Sequence, residues 1–534
     1  MGKKKLKHIE LFAGCGGMSL GLESDGYDLY FANELSPMAG ETFAYNILGE
    51  TLENNTNPKK TLWLKSQFKK KEIANRLREN PFEASEGKYS DIDKNTSLKG
   101  KLLIGDINIL LNLLKKTPEL VEEIKNEDID LISGGPPCQS FSLAGLREKD
   151  NHKNTLPASF AQIAGMIQPK TVLLENVKGI TSPFTEDGKK YYAWLEVSKA
   201  FVLEGFVPVC MMLNSKYFGV PQNRPRFILT AYRKDVFDKI FKKFPNSKIL
   251  KTSEGFYNNV LANRENLINV TVKDFKYYDI ESNPELFDGE ILPKITHFER
   301  DFINTSEAIG DIRRPERSYV FDNTKGKYAN LLNSTFPKYL YNGCIIKNHE
   351  QRNHSFIIKS RFRFYQVIEQ FQNGLKKGAS DLFTGKEVSE EIRIKLLDEF
   401  SHHRLLFFSN ENNRDALLFP KDIDEIETLI KSIPTKKHSQ RALKEFEPAP
   451  AQLTIPDDLC HYDSEQTRTL TVREMARFQS FPDWFEFKSK VTTGGKMRRF
   501  EVPQYTQVGN AVPPLLAKIL GETVRKQLKL ILLY

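Results

Sequence analysis

The chain is poor in what extracellular and membrane proteins are built from. Only five of its 534 residues are cysteine, at 15, 138, 210, 344 and 460, and no two are spaced as CxxC. A scattered, odd-numbered set suggests neither a zinc ribbon nor a disulfide framework and suits a reduced, intracellular setting. No apolar run approaches the about 18–20 residues of a membrane helix. The basic start at residues 3–7 has the charge of a signal n-region, but Lys7, His8 and Glu10 interrupt the next stretch and no apolar h-region forms. Charge of one sign is barely in excess: 78 Lys+Arg less 69 Asp+Glu leaves +9, which permits a polyanionic partner without demanding one. Internal repeats are lacking. With 40% hydrophobic and 28% charged residues, a disordered or fibrous chain is excluded. The length predicts about two to four domains of roughly 100–200 residues.

What is present is an alternation of strand and helix patterns. Candidate strands are Ile9–Phe12, Leu29–Asn33, Leu102–Ile104, Ile129–Ser133, Thr171–Leu174, Val207–Leu213 and Phe227–Thr230. This predicts an α/β fold with a doubly wound parallel sheet, whose ligands bind at the carboxyl ends of the strands. Residues 50–100 break the rhythm with polar runs and read as an insertion with a helix around 67–79. The rhythm stops again over 233–467 and returns near Leu470. Within that stretch, 345–380 carries seven Lys and Arg against Glu350 and Glu369, interleaved with Phe356, Phe362, Phe364, Tyr365 and Phe371. That mixture suits a nucleic-acid face and equally a solvated helix with an aromatic core side. The last residues read as a helix packing back on the sheet.

The first strand runs into AGCGGMSLG. Gly14, Gly16 and Gly17 permit a tight turn and close backbone approach at a helix N-terminus. Ser19 stands where a dinucleotide fingerprint has glycine. Glu34 lies 20 residues beyond Gly14, the spacing of an acid that takes ribose hydroxyls. Asp106 comes after the third strand and suits an exocyclic amine. An adenosine pocket without a pyrophosphate cradle points to S-adenosylmethionine rather than NAD; a plain turn with two solvated acids is the alternative.

The strand at 129–133 ends in GGPPCQSFS, a rigid turn with Cys138 at its apex. An ordinary buried cysteine is inert, but one in a ligand cleft is an intrinsic nucleophile. Glu175 closes the next strand in VLLENV, where burial needs a partner or a proton, and a proton would make it a donor. In QNRPR, Arg224 and Arg226 alternate and would point one way from an extended chain, forks able to grip a carbonyl or phosphate or to make surface ion pairs.

FAGCGG, GGPPCQSFS, ENV and QNRPR in this order, and then LTVREMARFQSFPDWF at 470–485 and QYTQVGNAVPP at 504–514, resemble the cytosine-5 DNA methyltransferase family of prokaryotic restriction-modification type. The resemblance covers about 8–46, 102–232 and 441–520. It implies a cofactor-binding and catalytic domain at 1–232, a smaller target-recognition domain at 233–467 and a return segment at 468–534 that completes the catalytic domain. It implies S-adenosylmethionine as methyl donor, held by Phe12, Gly14, Gly16, Glu34, Asp106, Ile107 and Asn510. Cys138 would be the nucleophile, Glu175 the contact to the cytosine ring nitrogen and amine, and Arg224 with Arg226 the holders of base and catalytic loop. Ala511 stands where many relatives have serine, and Glu10 where aspartate is common.

One branch of that family methylates tRNA with the same catalytic residues. Its recognition segment is short, whereas Arg226 and Arg468 are 242 positions apart here, which favours duplex DNA. A catalytically silent DNA-binding module is the other alternative, opposed by Cys138, Glu175 and both arginines standing together. The reaction needs no metal, and the histidines at 349, 354, 402 and 403 lack a ligand constellation. The expectation is a monomeric, cytoplasmic prokaryotic modification enzyme acting on a specific duplex sequence, functionally paired with a restriction endonuclease and not associated with a membrane.

Overall fold

The computed structural model describes residues 5–53, 58–93, 95–137, 156–186, 189–313, 320–322, 324–338, 343–409, 414–435 and 440–532. Cys138 lies outside the described residues. The centre of the molecule is a nine-stranded sheet: β1 (Leu6–Leu11), β2 (Tyr27–Glu34), β3 (Thr61–Trp63), β4 (Lys101–Ile104), β5 (Leu131–Gly134), β6 (Thr171–Val177), β7 (Phe206–Asn214), β8 (Pro225–Arg233) and β9 (Tyr277–Asp279). Their order is β9-β7-β8-β6-β5-β1-β2-β4-β3. All neighbours are parallel except β8, which is antiparallel to both β6 and β7. Residues such as Val172, Leu173 and Leu174 are fully buried, so the strands read as continuous apolar runs covered by helices on both faces.

The seven strands expected from the pattern are all in this sheet. The two outermost, β3 and β9, are not foreshadowed by it: three residues carry too little periodicity to be read. β3 comes from the 50–100 insertion and pairs with β4, with Trp63 opposite Ile104. The helix expected at 67–79 is reduced to one turn, Ile73–Arg76. Its place is taken by a fold around the fully buried Arg76, which pairs with Asp91 at 2.6 Å, donates twice to the Phe68 carbonyl and stacks on Trp63. Beyond residue 232, Phe256, Phe275, Leu292 and Ile295 still belong to the core of the sheet.

A second core joins residues 308–346 to 443–511 and reaches Cys15 and Leu20 beside the first glycine turn. A third lies within 362–460. The basic, aromatic window at 345–380 supplies aromatic side chains to that third core, while Lys347, Ile357 and Lys377 stay exposed. On the helix Phe356–Ile368, Phe362, Phe364 and Tyr365 are buried. Arg361 Nε donates to the Ile433 carbonyl at 3.0 Å and Arg363 Nε to the Arg404 carbonyl at 2.7 Å. His349 and His354 bond Thr471 and Thr469. No helix among the described residues is long and apolar enough to cross a membrane.

The helix α1 (Gly17–Ser24) after β1 docks on the C-terminal helix Pro514–Leu532. A Cβ on Gly17 would lie 2.3 Å from the Val512 carbonyl oxygen, and one on Gly21 2.4 Å from that of Pro514. Glycine is therefore required for the end of the chain to lie against its beginning. The segment LTVREMARF forms a short helix, Val472–Phe478, with a capping box: Thr471 Oγ1 accepts from the Glu474 N–H and the Glu474 carboxylate from the Thr471 N–H. Glu474 is fully buried and takes both arms of the Arg468 guanidinium at 2.8 Å. Arg468 holds its carboxyl down at about 2 against the opposing effect of burial. Since this lies below the about 4.3 of a free glutamate, the pair stabilises fully above that pH and its contribution is lost as pH falls toward 2. Arg468→Leu is expected to cost about 3–5 kcal/mol in urea unfolding near neutral pH. The deficit against the parent protein should shrink as the pH is lowered through the acid range; a pH-independent deficit would refute the ionic origin.

Candidate functional site

The carboxyl edge of the sheet gathers most of the expected residues. β1 ends at Leu11 and the chain turns at once: Phe12 has φ 56°, Gly14 φ 55° and Gly16 φ 96°. Phe12 is a bulky side chain in a conformation that glycine favours, a strain of the kind that persists where the surroundings over-determine it. Its ring lies 6.4 Å from that of Phe160. The turn wraps around Glu34 at the end of β2. One carboxylate oxygen of Glu34 accepts from the Gly14 N–H and the other from the Ser36 N–H, each at 2.8 Å. Burial pushes the Glu34 carboxyl up, and these N–H donors oppose the push. Beneath the turn, Ser19 donates to the buried Glu10 carboxyl. Burial raises that carboxyl to about 8. The serine that departs from a dinucleotide fingerprint thus has a partner, the glutamate that departs from the common aspartate.

The third acid is stitched to the second. The Gly105 N–H donates to the Glu34 carbonyl at 2.9 Å, and Asn33 Nδ2 donates to the carbonyls of Leu103 and Gly105. Asp106 then caps the helix Ile107–Lys116 by accepting from the Asn108 N–H at 2.7 Å through Oδ1; Oδ2 has no described partner. Ile107 is buried in the core of the sheet, so it offers a ligand only its backbone N–H, an orphan donor of the first helical turn. Asn510 ends the helix Gln504–Asn510 and is exposed. That helix is held over the glycine turn by Gln507, whose Oε1 accepts from Thr42 at 2.6 Å and whose carbonyl lies 3.7 Å from Cys15 Sγ.

Two strands away, Glu175 and Arg226 form a second cluster. Glu175 pairs with Ile228 across the β6/β8 ladder and Arg226 with Val177. The two side chains are therefore diagonal neighbours on one face, and Arg226 Nε lies 2.7 Å from Glu175 Oε1. The contact is an ion pair rather than a linear hydrogen bond. The loop before Cys138 reaches the same place: a Cβ on Gly135 would lie 3.1 Å from Glu175 Oε2, and Asn176 Nδ2 donates to the Pro136 carbonyl at 2.9 Å.

Arg224 is not brought to this pair. It lies between the short strand Gln222–Asn223 and β8, is buried, and donates to the carbonyls of Gly509 at 2.7 Å, Ala511 at 3.2 Å and Gln452 at 3.4 Å. Gln222 works beside it, accepting from the Gln452 N–H and donating to the Phe478 carbonyl. These positioning contacts are not readable from QNRPR alone, because their partners lie more than 200 residues away in the chain. Lysine cannot reproduce the fork. Arg224→Lys is expected to destabilise the fold by about 1–3 kcal/mol and to accelerate amide hydrogen exchange at 509–512 while leaving that of β1 and β5 unchanged; uniform protection in the variant would show that the fork holds nothing.

Known proteins resemble the chain along most of its length. It is 25% identical to the type II methyltransferase M.DdeI of Desulfomicrobium norvegicum over 97% of its own length and 88% of the relative's. It is 24% identical to the type II methyltransferase M.XorII of Xanthomonas oryzae pv. oryzae over 98% and 85%. A solved structure, the S. pombe Dnmt2 methyltransferase, covers 98% of the chain at 13% identity with a TM-score of 0.40, and 99% of that structure's chain is matched. The model of the family described as C-5 cytosine-specific DNA methylase matches residues 6–74 and 94–526, and the chain belongs to that family.

Proposed function

We propose that this protein is a DNA (cytosine-5)-methyltransferase that modifies a flipped-out cytosine in a specific duplex sequence. The observation that carries the reading is the Glu175–Arg226 pair, set at the carboxyl edge of the sheet beside the start of the GGPPC loop. The residues at the other end of that edge fit an S-adenosyl group: a glycine turn without a phosphate cradle, the Glu34 carboxylate for ribose hydroxyls, the open oxygen of Asp106 for an amine, and exposed Asn510. S-adenosylmethionine, when bound, supplies an electrophilic methyl group.

The chain's own residues divide the remaining work. Cys138 attacks carbon 6 of cytosine as the thiolate, breaking the aromaticity of the ring and making carbon 5 nucleophilic. Glu175 contacts ring nitrogen 3 and the amine of the cytosine, where charge develops, and Arg226 keeps its carboxyl group in place. Arg224 acts one step back, positioning Asn510. Once carbon 5 carries the methyl group, a base such as water takes the carbon 5 proton and the cysteine leaves as the thiolate, restoring the ring. None of this can occur in a stacked duplex, so the base is extruded at a cost of a few kcal/mol. Elements of 233–467 beyond those that complete the sheet core up to Ile295 offset that cost through backbone and groove contacts and serve as the target-recognition domain, while 1–232, the sheet-completing residues and 468–534 form the catalytic one. The relatives are type II methyltransferases, and that likeness supports a bacterial modification enzyme; a monomeric, cytoplasmic state and a paired restriction endonuclease belong to the same reading as its expectations.

Cys138→Ser is expected to abolish transfer of labelled methyl groups to DNA and covalent trapping on 5-fluorocytosine DNA, while calorimetry shows unchanged cofactor affinity. Normal turnover by the variant would sink the mechanism. Glu34→Ala and Asp106→Ala should each weaken S-adenosylmethionine binding about tenfold to a hundredfold, the worth of one charge-assisted hydrogen bond.

A further inference from the structure

The excess positive charge of the chain is not spread evenly. Residues 488–501 hold five Lys and Arg, at 488, 490, 496, 498 and 499, against one acid, Glu501, so this short stretch carries +4 of the chain's +9. It precedes the helix Gln504–Asn510 and is fastened to its first residue. The Gln504 N–H donates to the Lys490 carbonyl and Gln504 Nε2 to that of Ser489, each at 3.0 Å. Gln504 Oε1 in turn accepts from Asn348 Nδ2 at 3.2 Å. The stretch therefore leaves and rejoins the protein at the seam between the return segment, which carries Asn510, and residues of 233–467.

The charges divide by their place along the stretch. At its base Lys488 pairs with Glu53 at 3.1 Å and Glu486 at 3.4 Å. At its neck Glu501 takes the Lys490 ammonium and the Thr493 hydroxyl. Beyond the neck the chain makes one 3₁₀ turn, Gly495–Arg499, in which no residue is buried. A Cβ on Gly494 or Gly495 would meet nothing within 4 Å. Lys496, Arg498 and Arg499 are exposed on this turn, and among the described residues no carboxylate pairs with them. Residues three apart in a 3₁₀ turn eclipse, so Lys496 and Arg499 point the same way and repel. No apolar contact offsets that repulsion, whereas an anion between them reverses its sign. Guanidinium forks suit phosphate oxygens. A surface for single strands offers aromatic faces on which bases stack, and residues 494–499 include no aromatic; a duplex backbone asks only for cations. Arg361 and Arg363, by contrast, are engaged by carbonyls. We propose that the turn Gly495–Arg499 grips the phosphate backbone of the duplex, with Lys496, Arg498 and Arg499 as its contacts. Such contacts position a duplex along the seam without reading its sequence. The inference rests on the reading of duplex DNA as the substrate and adds to it a docking surface in the return segment rather than in 233–467.

The test compares the full-length parent protein with the triple variant Lys496→Gln, Arg498→Gln, Arg499→Gln on random-sequence duplex DNA over a salt series. Each lost phosphate contact removes about 0.9 from the slope of log affinity against log salt. The slope should therefore fall by about 2–3, with weaker binding at low salt and convergence of the two proteins at high salt. A second triple variant removes the same charge elsewhere: Lys239→Gln, Lys242→Gln and Lys251→Gln, at exposed positions of the helices Lys234–Lys243 and Lys248–Ala262. It should keep the parent's slope. An unchanged slope in the first variant, or an equal reduction in both, overturns the proposal. Bisulfite sequencing of plasmid methylated by parent and variant should show the same sites; a relaxed site in the variant would make the turn a reader of bases and overturn its backbone role. Tighter binding of the parent to single-stranded RNA than to duplex DNA, lost in the variant, overturns it as well. Failure of the parent to transfer labelled methyl groups to any DNA would instead remove the substrate reading beneath it.

Discussion

The Arg224 guanidinium holds together what the chain order keeps apart. It reaches Gln452, Gly509 and Ala511, which lie 228, 285 and 287 residues further along. Burial, with Arg226 nearby, pushes its pKa well below the usual arginine range, and no carboxylate bonds to it directly among the described residues. A charge placed so is tolerated only where fixed dipoles surround it, and here these are carbonyl oxygens from distant segments. If any of those segments moved away, the cation would lose part of its solvation. The closure of the return segment on the sheet and the position of the 449–454 segment beside Gln222 are thus coupled through one side chain. Asn510, flanked on both sides by carbonyls that Arg224 holds, is placed as a consequence.

The direction of β8 explains why the second cluster exists at all. In a wholly parallel sheet, residues that begin a strand lie at the opposite edge from those that end one. Because β8 alone runs antiparallel within this sheet, its first residues arrive at the carboxyl edge of β6. Arg226 then meets Glu175 by ladder register, with no loop needed to carry it there. The same edge receives the glycine turn after β1, Glu34 after β2 and Asp106 after β4. The architecture supplies a row of strand ends, and local residues decide what each end can hold.

This is also why so much of the site is legible in the sequence. Glu34, Asp106 and Glu175 each stand at or just after a buried run, and a charged residue in that position announces a strand end with a task. The alternation in QNRPR predicts two arginines pointing one way, and the structure departs from it for a physical reason. Alternation of side chains holds within a strand, but Arg224 lies between two strands and Arg226 inside the second. At 345–380 the charge pattern leaves open which arginines are buried. Arg361 binds the carbonyls of Ile433 and Pro434 just beyond the helix Ile423–Ser432, the negative end of a helix dipole. A sequence does not show whether an arginine's acceptor is a phosphate or a helix terminus, and the long apolar stem of arginine allows burial in either case. Nor can composition reveal that residues up to Ile295 complete the core of the sheet, since their packing depends on a three-residue strand.

The insertion is illegible for the opposite reason: its polar composition hides a small, buried centre. Trp63, Arg76 and Asp91 make that centre, and each is remote in sequence from the others. Without β3, β4 would be the edge of the sheet, with a row of unpaired backbone groups open to water or to another chain. β3 pairs that edge as far as Ile104, one residue short of the Gly105 turn. A strand that covers an edge at the carboxyl end of a parallel sheet necessarily stands beside the site, because the site is at that end. Protection of the edge and support of the Asp106 turn are therefore two results of one placement. A covering strand on the opposite side, such as β9, braces β7 instead. The insertion could be lengthened or replaced within its exposed turns at little cost to the fold, but Trp63 and Leu64 are fixed by pairing with β4, and the geometry of the Asp106 turn is fixed with them.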